Sequence, residues 1–181
     1  MKTCLRIGTR GSPLALAQAG EIQRRLSARW PGLKFTRVVI RTEGDEFQSV
    51  ELFRRKKTGI FTKAIEKKLL ENKIDIAVHS LKDLPTELPA GLRLAAFPKR
   101  VDPSDVLISR KRWGLASLPE GAAVGTGSPR RKRQLLLLRP DLRLVDIRGN
   151  LDTRIGRVLR KNDLDAVVVA AAGLLRLKKY Q

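Results

Sequence analysis

The chain alternates between short apolar, β-rich runs and longer stretches in which apolar residues recur at helical spacing. "LRIGT" (5–9) predicts a strand. From Ser12 to Trp30 the positions Ala15, Ala19, Ile22, Leu26 and Trp30 fall on one helical stripe, predicting a helix over 12–30. "FTRVVIR" (35–41) predicts a second strand, "FTKAIEKKLLEN" (61–72) a second helix and "IDIAVHS" (74–80) a third strand. After "LRLAAFP" (92–98) comes "KRVDPSD" (99–105), polar and proline-containing, where a lobe boundary is expected. The pattern then restarts, with strands expected at 105–109, 122–126, 142–147 and 165–170 and helices at 128–139, at 151–161 and after 170. Alternating strands and helices imply an α/β fold with mainly parallel sheets. Two such runs imply two lobes, 1–98 and 99–181.

A short internal echo supports the division. "IGTRGSPLALAQ" (7–18) and "VGTGSPRRKRQL" (124–135) each run from a strand end through Gly-Thr and a glycine turn into Ser-Pro. Ser12 and Ser128 suit the helix N-cap, and Pro13 and Pro129 the first helical position, where a missing N–H does no harm. Such a turn presents free backbone N–H groups and the positive end of a helix dipole at the edge where α/β sheets usually bind ligands. Ser-Pro is also simply a good helix start, and either copy alone would mean no more than that. Two copies, one with Arg10 and one with Arg130 and Arg131, point to an anion site.

Charge sharpens this picture. With 38 Lys and Arg against 18 Asp and Glu, the chain carries a formal charge of +20, which would attract nucleic acid, anionic lipid or a polycarboxylate. Aromatics are only 4% of residues and the basic clusters at 54–57, 110–112 and 130–133 are small, so a nucleic-acid partner is disfavoured. The longest apolar run, "AVVVAAAGLL" (166–175), is too short to span a bilayer, and the amino terminus has no apolar leader. No membrane partner is therefore expected. One cysteine and one histidine leave no disulfide framework and argue against a zinc site, so no metal is expected and the cytoplasm is the default location.

The chemistry-bearing residues gather at predicted strand ends. "DIRGNLDTR" (146–154) places Arg148 at a strand end, Gly149 and Asn150 in the turn and Arg154 one turn into a helix. Guanidinium groups so placed suit bidentate binding of carboxylate or phosphate. Surface arginine is the alternative in so basic a chain, but Arg10, Arg130, Arg131, Arg148 and Arg154 all fall just beyond strand ends. Random surface charge would also decorate the far ends of the helices. Asp83 follows the strand at 74–80 and should share that edge with arginines, where a carboxylate could orient N–H donors, accept a proton or stabilise a cation. Lys82 beside it could pair with a substrate carboxylate or stay solvated, and His79 reads as an ordinary strand-end histidine. There is no Walker A loop, dinucleotide fingerprint or nucleophile elbow.

"LRIGTRGSPLALAQA", "AVHSLKDLP", "VGTGSPRRKRQL", "RGNLDTR" and "LDAVVVAAAGLLRL" together resemble the hydroxymethylbilane synthases, also called porphobilinogen deaminases. The resemblance covers nearly the whole chain. It implies two lobes like those of type II periplasmic binding proteins around a hinged cleft, and head-to-tail joining of four porphobilinogen units with loss of ammonia on a covalently held dipyrromethane. It also implies that Asp83 is the catalytic aspartate. Arg10, Ser12, Lys82, Asp83, Ser128, Arg130, Arg131, Arg148, Gly149, Asn150 and Arg154 would hold cofactor and substrate. Two features depart from the pattern. The family's third, C-terminal domain, whose cysteine carries the dipyrromethane, has no counterpart before Gln181, and Cys4 does not match that position. In the loop before "GIF", Thr58 stands where the family has lysine, with Lys57 one residue earlier. These departures leave room for a C-terminal domain supplied separately, or for a truncated module that binds acidic pyrroles without turnover.

Overall fold

The computed structural model describes residues 2–42 and 62–179. They form two compact units, Met1–Pro98 and Lys99–Gln181. Lys57, Thr58 and the basic cluster at 54–57 lie outside the described residues.

In the first unit, β1 (Cys4–Thr9), α1 (Pro13–Arg29), β2 (Lys34–Val39), α2 (Lys63–Leu70) and β3 (Ile76–Ala77) build a parallel sheet in the order β2-β1-β3. Side-chain alternation sorts the core onto the two faces of the sheet. Ile7 and Phe35 pack with Ala19 of α1, whereas Ile40 packs on the opposite side with Ile65 of α2 and with Ile74. Gly8 faces that second cluster, and a Cβ there would lie 2.3 Å from Ile74 Cδ1, so the missing side chain is what lets Ile74 in. The strand expected at 74–80 is only two residues long. Val78 still donates its N–H to Gly8 O at 3.1 Å, but the chain then turns, and Leu81–Asp83 forms one 3-10 turn closed by Asp83 N to Ser80 O at 2.9 Å. Edge pairing to β1 alone, with polar side chains following, does not hold the strand longer.

In the second unit, β4 (Asp105–Ser109), β5 (Ala123–Gly125), α3 (Pro129–Leu138), β6 (Arg143–Val145), α4 (Leu151–Leu159), β7 (Ala166–Ala170) and α5 (Ala171–Arg176) form a sheet in the order β4-β7-β5-β6. β5 runs parallel to both β6 and β7, whereas β4 is antiparallel to β7. β7 is buried on both faces, as the central strand of a sheet covered on both sides should be. Ala166 and Val168 join Leu135 of α3, while Val167 and Val169 join Val158 of α4 and Leu174 of α5. The antiparallel register sets Asp105 opposite Ala170, so β4 begins at the edge of the sheet where β7 ends.

Candidate functional site

Each unit offers one polar edge, at the carboxyl ends of its parallel strands. In the first, Thr9 is fully buried and donates its hydroxyl to Ala15 O at 3.1 Å, anchoring the turn to α1. Ser12 caps α1, accepting from Ala15 N at 3.3 Å, with Pro13 as the first helical residue. Beside this turn lies the 3-10 turn that carries Asp83. Gln18 of α1 and Ser80 exchange side-chain hydrogen bonds, at 2.9 Å from the amide nitrogen and 3.3 Å to the amide oxygen. The result is a cavity of about 50 Å³ lined by Arg10, Ser12, Gln18, His79, Ser80 and Asp83, among others. Asp83 and Lys82 are exposed, and Lys82 does not line the cavity. His79 is partly buried; desolvation lowers its pKa from the ordinary value, against the opposing pull of the Asp83 and Glu66 carboxylates.

In the second unit β5 ends at Gly125, and the next residue, Thr126, is buried and accepts from Ser128 N at 3.3 Å. Gly127 must be glycine, because a Cβ there would lie 2.8 Å from Ile147 O. Ser128 caps α3, accepting from Arg131 N at 3.5 Å, so Arg130 and Arg131 occupy the first turn of that helix. The neighbouring turn after β6 carries Gly149 at φ +96°, the left-handed region that favours glycine, and Asn150 as the N-cap of α4. Asn150 Oδ1 accepts from Thr153 N at 2.9 Å, and Arg154 Nε donates to Gly149 O at 2.8 Å, closing the turn that presents the half-buried Arg148.

Arginine is not confined to these edges. Arg29, Arg157 and Arg176 sit in the last turns of α1, α4 and α5, so position alone does not single out a site arginine. Partners do. Asp105 bridges the α3 pair, accepting from Arg130 at 2.8 Å and from Arg131 at 2.6 Å. Lys132 pairs with Asp146 at 2.7 Å. Neither acid was singled out in the sequence, although both sit at the start or end of a strand on a basic edge. Gln18 and the buried Glu66, whose Oε1 has no hydrogen-bond partner among the described residues, were likewise not evident. Cys4 begins β1 and so lies at the opposite end of that strand from Arg10. Among the described residues no cluster of His, Cys, Asp and Glu could hold a metal, and no helix is long and apolar enough to cross a membrane.

A family model described as "Porphobilinogen deaminase, dipyromethane cofactor binding domain" matches residues 5–181. The chain belongs to the porphobilinogen deaminase family. It is 53% identical over 173 residues to a porphobilinogen deaminase of Syntrophomonas wolfei, covering 96% of this chain and 56% of that protein. To the porphobilinogen deaminase of Thermus thermophilus it is 50% identical over 171 residues, covering 94% and 55%. The chain thus spans a little over half the length of these curated relatives. Among solved structures it is similar, at a TM-score of 0.43 and 15% identity, to the periplasmic aliphatic sulphonate binding protein of Escherichia coli, over 97% of this chain and 55% of that one. For a dipyrromethane-binding family, the two capped, arginine-flanked edges are suitable chemistry, since carboxylate side chains are what such groups bind.

Proposed function

We propose that the chain supplies the two α/β units of a hydroxymethylbilane synthase, which joins four porphobilinogen molecules head to tail and releases one ammonia at each step. The observation that carries this reading is the cavity in which Asp83 shares a wall with Arg10 and the capped start of α1. It sets a carboxylate beside donors suited to an acidic pyrrole. When the aminomethyl C–N bond of porphobilinogen breaks, the electron pair leaves on nitrogen as ammonia and the ring is left cationic. Asp83 stabilises that developing charge and accepts the pyrrole N–H. A new C–C bond then forms to the free α-carbon of the preceding pyrrole, and the proton on that carbon is lost. Dipyrromethane, when bound, supplies the first such carbon. Arg10 and Ser12 in the first unit, and Ser128, Arg130, Arg131, Arg148 and Arg154 with the Gly149–Asn150 turn in the second, bind acetate and propionate groups; Lys82 adds positive charge beside Asp83. The donor set fits the group: Arg131 Nε is a buried donor with no partner among the described residues.

Composition, with one cysteine in 181 residues, supports a cytoplasmic setting. The competing reading is binding of acidic pyrroles without turnover. Incubating the chain with porphobilinogen, alone and with any further domain it needs, and following both binding heat and formation of linear tetrapyrrole separates the two. Binding with product supports the synthase, binding without product supports the module, and no binding overturns both.

A further inference from the structure

We propose that Asp105 is a positioning residue: its carboxylate holds Arg130 and Arg131 together at the carboxyl edge of the second sheet and thereby sets how tightly that edge binds a ligand carboxylate. The inference rests on the reading of that edge as an acidic-pyrrole site.

Three observations support it. Asp105 divides its oxygens, Oδ2 accepting from Arg130 at 2.8 Å and Oδ1 from Arg131 at 2.6 Å. Its backbone is fixed, because it opens β4 in register with Ala170, while Arg131 reaches the same neighbouring strand through an N–H to Val168 O at 3.3 Å. The arginine pair, on the first turn of α3, is thus tied to the sheet at two points. Third, the bridge leaves donors over. A guanidinium has five N–H groups, and Asp105 takes one from each arginine. Arg130 remains 60% exposed, and Arg131, with a side chain only 10% exposed, keeps an unpartnered Nε–H.

Removing the carboxylate would leave two adjacent guanidinium groups in repulsion, one of them buried without a counter-charge, which is strongly unfavourable. Arg131 would turn towards solvent, and a ligand would then have to order it again on binding. Burial opposes the charge on Asp105, but the bonds from Arg131 and Arg130 outweigh it and hold its carboxyl below the ordinary carboxylate range. The bridge is therefore intact at neutral pH.

The opposite role is as concrete: Asp105 could occupy the arginines as a competitor, and its removal would then tighten binding. Calorimetric titration of the parent, Asp105→Asn and Asp105→Glu with porphobilinogen decides, with arginine Nε–H exchange followed by NMR in the same samples. We expect Asp105→Asn to weaken binding about tenfold or more and to expose the Arg131 Nε–H to fast exchange, and Asp105→Glu to restore most of both. Affinity unchanged or raised in Asp105→Asn overturns the proposal. A parent that binds no porphobilinogen, with arginine exchange still responding to Asp105→Asn, overturns the pyrrole reading while leaving Asp105 as the group that orders the pair. If exchange does not respond either, both fall. Should Asp105→Asn not fold, Asp105→Ser takes its place with the same expectation.

Discussion

Gln18 Nε2 donates to Ser80 Oγ at 2.9 Å, tying the second turn of α1 to the residue that precedes the Asp83 turn. Without it, the 3-10 turn is tied to the sheet through the two-residue strand β3 and the Val78 N–H to Gly8 O. Gln18→Ala should cost only about 1 kcal/mol of stability, the net worth of one such bond. Misplacing a reacting group by a fraction of an ångström costs more in rate. Turnover should therefore fall roughly tenfold or more, with binding of porphobilinogen changed less. Equal, small losses in melting temperature and in rate would make Gln18 merely structural.

The pH dependence of stability should have two separate limbs. Burial lowers the pKa of His79, so between its folded value and the unfolded value of about 6.5 the folded state binds fewer protons than the unfolded. Stability should rise with pH through that window and be lost as pH falls through it. The acid limb from paired aspartates sets in around their unfolded value of about 3.9. Arg6, with Lys2, holds Asp75 well below the carboxylate range, and Arg139 takes Asp141 down to about 2. Their contributions are present above the unfolded value and fade as pH falls below it. Thermal midpoints from pH 3 to 8 should show both limbs. His79→Gln should flatten the upper one and Asp75→Asn the lower; a profile that His79→Gln leaves unchanged would sink the first assignment.

Much of this layout was legible in the sequence because local chemistry decides it. Ser12-Pro13 and Ser128-Pro129 mark both helix starts, and the observed caps are those serines. β7 was legible because a strand buried on both faces is a continuous apolar run. The shortness of β3 was not, because Ile76 and Ala77 pair only with β1, and how far an edge strand pairs is a tertiary matter. Nor was the antiparallel sense of β4, since "DVLIS" has the same composition in either direction. The bridge from Asp105 to Arg130 and Arg131 joins residues 25 and 26 apart in the chain. Its acid reads locally as a turn residue after "DPS", and only the β4–β7 register brings it to α3.

Cys4 should remain unmodified when the chain is incubated with porphobilinogen. It opens β1, and the five residues from there to Thr9 span roughly 17 Å at the usual strand rise. Its sulfur lies 3.8 Å from Thr36 Oγ1, on the neighbouring strand β2, rather than in the Asp83 cavity. Intact-mass measurement after incubation is the check. A stable pyrrole adduct mapped to Cys4 would show that the reacting end of the chain is not where the strand ends place it.

Asp83→Asn separates catalysis from binding most cleanly. The substitution keeps the shape and a hydrogen-bond acceptor but removes the charge, so on the proposed function what is lost is the stabilisation of a cation absent from the ground state. Losing one preorganised electrostatic group typically costs about 10²–10³ in rate, and turnover, measured on the chain alone or with any further domain it needs, should fall by at least that order. Affinity for porphobilinogen should change far less, because Arg10 and the capped start of α1 stay in place. Folding should survive, since Asp83 is exposed on a 3-10 turn whose backbone bond to Ser80 O does not involve the side chain. Rate, affinity and thermal midpoint measured side by side with the parent give three distinguishable results. Normal turnover would remove Asp83 from the chemistry, and an unfolded variant would make it a structural residue of the turn. Parallel losses of affinity and rate would mean that its charge serves binding rather than the bond-breaking step.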